Sequence, residues 1–170
     1  VYLEINSIGN ESTRLRYTED LLKYFQPLKD QLDEDILKKL NDNPLRVLDS
    51  KSERIKSLLK AAPKISDYLD EDSEAHFKKL MTILDSLGIS YDVNPKLVRG
   101  LDYYNKTVFE WKTDNLGAQD TICAGGRYDN LIEELGAKPC PAIGFSIGME
   151  RLMLLIKETI DNKYLKNQSI

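Results

Sequence analysis

Histidine is almost missing from this sequence: His76 is the single one in 170 residues. Cysteine is nearly as scarce, with Cys123 and Cys140 alone. A structural zinc site draws its ligands from those two residue types, so no protein-bound structural metal is expected. The cysteines lie too far apart in sequence for a CxxC redox pair. They are expected as free thiols, Cys123 within an apolar strand, in a reduced, cytoplasmic setting. No apolar run approaches the ~20 residues that a membrane-spanning helix needs, so no membrane partner is expected. Excess positive charge is absent too, with a net charge of -4 and charged residues at 31%. A free-standing nucleic-acid clamp is basic, so any RNA contact has to come from a local patch. No GxGxxG fingerprint is present, which leaves a Rossmann nucleotide site without support.

What is there begins with an alternating segment. Val1, Leu3 and Ile5 fall on one side and Tyr2, Glu4 and Asn6 on the other, a half-buried strand that Gly9-Asn10 ends. Val1 lies inside this apolar run without an initiating methionine, which predicts a segment excised from a longer protein. From about Asn10 to Gly88 the texture is helical. Leu15, Leu22, Phe25 and Leu32 recur at near-helical spacing until Pro27 interrupts them. Ser52 is placed to cap a short helix with Ile55, Leu58 and Leu59. Ser73 to Leu87 predicts the best helix, with Phe77, Leu80, Leu84 and Leu87 on one face and Gly88 as its left-handed cap.

After Ile89 the pattern turns to strands. Residues 107–113 alternate with aromatic weight, Asn115-Leu116-Gly117 reads as a turn, and Thr121-Ile122-Cys123-Ala124 leads back, predicting an antiparallel hairpin. A short helix is expected from Tyr128 to Leu135, then a buried strand over Ala142–Ile147. A last helix places Met149, Leu152, Met153, Ile156 and Ile160 on one face. The order predicts an α+β fold, divided into a strand at 1–9, a helical insertion at 10–88 and a core segment at 89–170.

Chemistry is concentrated in Leu97-Val98-Arg99-Gly100-Leu101-Asp102-Tyr103-Tyr104, just before the strand through Phe109 and Glu110. Packing alone would prefer Val or Ile to this arginine, carboxylate and phenol pair. Arg99 either pairs structurally with Asp102 or binds an anion with its planar fork of donors. Adjacent tyrosines on a strand point to opposite faces, so one packs and one is solvated, unless both serve a ligand. Gly125-Gly126 is a turn or a place where something approaches the sheet closely. Arg127 faces a substrate or pairs with Asp129. Arg151 is an exposed partner of Glu150 or a cation held over a π system. Between Arg46 and Lys64 the cations Arg46, Lys51, Arg54, Lys56, Lys60 and Lys64 outnumber Asp49 and Glu53. That run is a solvated face or a phosphate-contacting one.

The stretch Leu97 to Glu110 closely resembles the histidine-specific signature of the histidyl-tRNA synthetases. Ala124-Gly125-Gly126-Arg127-Tyr128-Asp129 resembles the glycine-rich second signature of that family. Gly144-Phe145-Ser146-Ile147-Gly148-Met149-Glu150-Arg151-Leu152 resembles motif 3 of class II synthetases. The resemblance implies part of the class II antiparallel sheet with flanking helices and a helical insertion. It implies that the parent makes histidyl-adenylate from histidine and ATP, Mg2+ accompanying the ATP, and then charges tRNA. Arg99 is then the catalytic residue, touching the amino-acid carboxylate and the α-phosphate. Tyr103, Tyr104 and Gly125 join Arg99 in the histidine pocket, and Arg151 and Gly148 join it at ATP. Arg54, Lys56 and Lys60 of the insertion are the residues implied for the tRNA acceptor arm.

The segments matching motif 1, motif 2 and the anticodon-binding domain are not in this sequence. A homodimeric parent is implied, with this fragment inactive alone. Two other readings are a regulatory, synthetase-like paralogue and a tRNA-binding module without aminoacylation. The intact histidine signature weighs against the first, and salt-dependent tRNA binding without adenylate formation would mark the second.

Overall fold

In the computed structural model, which describes residues 1–117 and 120–167, β1 (Tyr2–Ser7) is paired on both sides. Its neighbours are β2 (Tyr91–Val93), parallel, and β3 (Asn105–Lys112), antiparallel. Beyond β3 lie β4 (Thr121–Arg127) and β5 (Ile143–Ile147), both antiparallel, giving the order β2-β1-β3-β4-β5 among the described residues. The α+β expectation holds, hairpin included. The last three residues of the expected 89–170 segment lie outside the described residues, as do 118 and 119.

The register sorts side chains onto two faces. Leu3 stands opposite Trp111 and Ile5 opposite Phe109, and these residues pack under α4 (Glu71–Ser86) with Phe77, Leu80 and Leu84. The other face carries Glu4 opposite Glu110 and Asn6 opposite Val108, then continues through Ala124 to Ser146 and through Gly126 to Gly144. Two facing glutamates repel, and cations settle them: Lys112 Nζ lies 3.6 Å from Glu4, and Arg99 pairs with Glu110. This polar face holds the site.

α1 (Glu11–Phe25) starts at Asn10, whose side chain accepts from the Thr13 amide at 2.9 Å. It ends before Pro27, where the chain continues as a 3-10 turn, Gln26–Gln31. Its buried face is Thr13, Tyr17, Leu21 and Phe25; of the predicted row within the helix Phe25 is buried, while Leu15 and Leu22 are exposed, Leu15 at 59%. A polar residue heads the true row because Thr13 Oγ1 donates to the Tyr68 carbonyl at 3.2 Å. The turn of chain through α2 (Glu34–Asp42) and α3 (Glu53–Leu58) joins α1 in one buried cluster that also holds Leu97, Tyr104 and Val108. α3 begins after Ser52 as expected, but the Ser52 side chain makes no capping bond. α4 starts two residues earlier than predicted, because Asp70 caps it through the Ser73 amide at 3.0 Å. Gly88, at φ +66°, closes that helix, and Leu87 is exposed instead of packed.

α5 (Leu131–Glu134) is a single turn. The expectation of a buried strand fails beyond it. Among the described residues β5 is an edge strand paired with β4 alone, and its Ile143, Phe145 and Ile147 are exposed, Phe145 at 65%. α6 (Met149–Asn167) likewise leaves Met149, Met153, Ile156 and Ile160 exposed. Among the described residues no element covers those side chains.

Candidate active site

The segment after β2 is stapled across the polar face by asparagines. Asn94 donates to Glu4 Oε2 at 2.8 Å, and Asn6 donates to the Leu97 carbonyl at 2.9 Å. With Leu97 buried, the next turn of chain sets Arg99 above β3. There its Nη1 pairs with Glu110 Oε1, in surroundings that leave the two side chains 25% and 13% exposed. Asp102, the alternative partner, accepts from Asn43 of the helical region at 2.6 Å instead. Among the described residues Arg99 Nε is buried without a hydrogen-bond partner.

Tyr103 and Tyr104 precede β3 and are not part of it, so the opposite-face expectation for a strand does not apply. Their rings meet with centroids 4.6 Å apart, and Tyr128 closes on Tyr103 edge-on at 5.6 Å. Glycines make room for this cluster. A Cβ on Gly126 would come within 2.8 Å of the Tyr104 ring and of the Thr107 carbonyl. A Cβ on Gly144, its cross-strand partner, would meet the Tyr128 hydroxyl at 2.4 Å. Gly125 faces the other way, against Phe145 and the Gly144 carbonyl, so it is Gly126 that lies beneath the tyrosines. The Tyr103 phenol is pushed above its ordinary value, first by its hydrogen bond to Tyr104 and then by burial, with Arg99 pulling the other way. It therefore stays protonated at neutral pH and keeps a donor.

Arg151 opens α6 with Nη1 donating to the Thr121 carbonyl at 2.6 Å, and Gly148 packs 3.3 Å from its side chain when given a Cβ. Two clefts result. One, about 370 Å3, is walled by Tyr103, Tyr104, Arg99, Arg14 and Asn43. The other, about 670 Å3, is walled by Arg99, Glu110, Ser146, Gly148 and Arg151. Arg99 borders both. Arg127 turns to Asp129, with Nε 2.6 Å from Oδ2, so the substrate-facing alternative gives way to the ion pair. Arg54 and Lys56 on α3 and Lys60 just after it are exposed, and Lys56 reaches Glu53 at 2.7 Å. Lys56 also borders a third cleft of about 610 Å3 that Arg151 shares. Among the described residues no group of His, Cys, Asp or Glu is placed to hold a metal, and Cys123 and Cys140 are free thiols.

A family model described as histidyl-tRNA synthetase matches residues 12–152. The chain belongs to the histidyl-tRNA synthetase family. A histidine–tRNA ligase of Ruthia magnifica is 57% identical over 92% of this chain and 37% of its own length. That of Hydrogenovibrio crunogenus is 53% identical over 98% of this chain and 38% of its own. The apo histidyl-tRNA synthetase of S. aureus superposes with a TM-score of 0.68 at 38% identity, covering 93% of this chain and 38% of that one. The chain thus spans a little over a third of the relatives it matches.

Within this histidyl-tRNA synthetase segment, three residues that sequence reasoning left without a role stand at the centre. Glu110, Thr121 and Tyr128 contact Arg99, Glu110 and Tyr103 respectively. A carboxylate inside the aromatic strand Val108-Phe109-Glu110-Trp111 was a usable signal for the first. Nothing local marked Thr121.

Proposed function

We propose that this chain is the internal catalytic segment of a histidine–tRNA ligase, and that Arg99 is the residue on which its chemistry turns. One observation carries this reading: Arg99 borders both the tyrosine cleft and the Arg151 cleft while its buried Nε lacks an acceptor among the described residues. A buried donor left unpaired costs roughly 1–3 kcal/mol, which a substrate oxygen bound there would recover.

Histidine enters the tyrosine cleft with its imidazole toward Tyr103 and Tyr104. A neutral imidazole has one donor and one acceptor nitrogen, and phenols can match either. A ligand lacking those groups would leave phenols unpaired, the strongest available basis for discrimination. ATP lies in the second cleft, with Arg151 against the base or the phosphates above the slim turn at Gly148. The histidine carboxylate then attacks the α-phosphorus, the adenylate forms, and pyrophosphate leaves. Arg99 stabilises the charge that gathers on the α-phosphate oxygens, as a fixed cation that needs no reorganisation. Mg2+ travels with ATP as part of that substrate. Family membership supports a homodimeric parent in which residues 10–88 carry an insertion toward the tRNA acceptor arm, with Arg54, Lys56 and Lys60 at phosphates.

The test is ATP–pyrophosphate exchange by the full-length protein. Histidine should drive exchange, and other amino acids should drive it less than about a ten-thousandth as well, the scale of a polar-pocket mismatch. Exchange that ignores the amino acid, or none at all, would refute the reading.

A further inference from the structure

We infer that Thr121 is the positioning residue that holds the two arginines of the site in one geometry; this rests on the adenylation reading above. Its two oxygens serve different arms. The hydroxyl donates to Glu110 Oε2 at 3.0 Å, while Glu110 Oε1 takes Arg99 Nη1. The backbone carbonyl accepts from Arg151 Nη1 at 2.6 Å. Thr121 Oγ1 also lies 3.4 Å from Asp120 Oδ1, a longer and weaker alternative for the same proton.

The strand itself is built to deliver this contact. Register along β3 and β4 runs Glu110↔Ala124 and Trp111↔Cys123, then jumps to Lys112↔Thr121. Residues three apart on a strand point to opposite faces, so regular pairing would turn Thr121 away from Ala124 and from Glu110. The extra residue, Ile122, forms a bulge that returns the Thr121 side chain to the polar face. Ile122 is itself buried, and its carbonyl accepts from the Gly148 amide at 2.9 Å, tying the bulge to the turn beneath Arg151.

The terminal torsion of a glutamate is broad, so a carboxylate held at one oxygen only can turn freely. With Thr121 on Oε2, Oε1 has a fixed direction and Arg99 a fixed partner. Removing the hydroxyl frees the carboxylate, and Arg99 loses its aim while keeping its charge. The Arg151 arm, which uses the main chain, stays.

The experiment is histidine-dependent pyrophosphate exchange by the full-length protein carrying Thr121→Val, which keeps the branched shape, and Thr121→Ser, which keeps the hydroxyl. Thr121→Val should lower kcat about tenfold, the scale of one hydrogen bond to a charged group, with the KM for histidine and for ATP changed less than about twofold. Thr121→Ser should recover most of the parental turnover. The double variant Thr121→Val, Glu110→Gln should be no slower than Glu110→Gln alone, because both act through one contact. Parental turnover in Thr121→Val would overturn the inference. So would equal loss in Thr121→Ser, which would assign the effect to the methyl group, or losses that multiply in the double variant. An unsubstituted protein with no histidine-dependent exchange would instead overturn the functional reading itself.

Discussion

Glycine separates into two kinds here, and the difference is measurable. Gly126 lies beneath Tyr104, where an added Cβ would sit 2.8 Å from both the ring and a backbone carbonyl. The carbonyl belongs to β3 and cannot move alone, so the clash falls on Tyr104 and the strand together. Gly126→Ala should cost about 2 kcal/mol, as overpacking in a tight interior does. Gly100 is next to Arg99, yet a Cβ there meets nothing within 4 Å and its φ is not in the left-handed region. Gly100→Ala should therefore change stability by less than about 0.5 kcal/mol. Denaturant unfolding of the two variants checks both numbers. The structural need for glycine lies at Gly126, on the floor of the tyrosine cluster, and not at Gly100 beside Arg99. Only the register of β4 against β3, with Tyr104 folded over it, exposes that need.

At the scale of elements, α3 is the part whose role is most open to experiment. Arg54 and Lys56 project from it and Lys60 from the turn that follows, all exposed, and Lys56 borders the cleft that Arg151 shares. If these cations meet tRNA phosphates, replacing all three by alanine in the full-length protein should weaken tRNA binding. The slope of log affinity against log salt should flatten by up to ~0.9 per lost contact, the duplex value. Exchange without tRNA should stay near the parental rate. Unchanged affinity and slope would make the run a solvated face. Elements were legible in sequence where period and punctuation agreed. β1, the β3–β4 hairpin and the stop of α1 before Pro27 all follow from local pattern. The packed face of α1 did not, because Thr13 and Tyr17 earn their burial through Tyr68, which is remote in sequence.

For the whole molecule, the site is a property of the sheet's polar face and of chain crossing it twice. The arginines were legible as candidates, since Arg99 and Arg151 each stand in a distinctive motif. Their common tie was not, because it runs through Glu110 and a bulged Thr121 whose orientation no alternation rule predicts. The exposure of β5, read from its sequence as a buried strand, has a related reason. Apolar pattern records what a surface can bury, while the covering element is set by the fold. The central claim is that Arg99 acts on both reactants at once. Arg99→Lys in the full-length protein, assayed by histidine-dependent pyrophosphate exchange, tests it most directly. Lysine keeps the charge but loses the fork that reaches Glu110 and a substrate oxygen together. The account predicts a kcat lower by about a hundredfold, ~3 kcal/mol of barrier, with the histidine KM raised only a few-fold. An unchanged kcat with a raised histidine KM would contradict it.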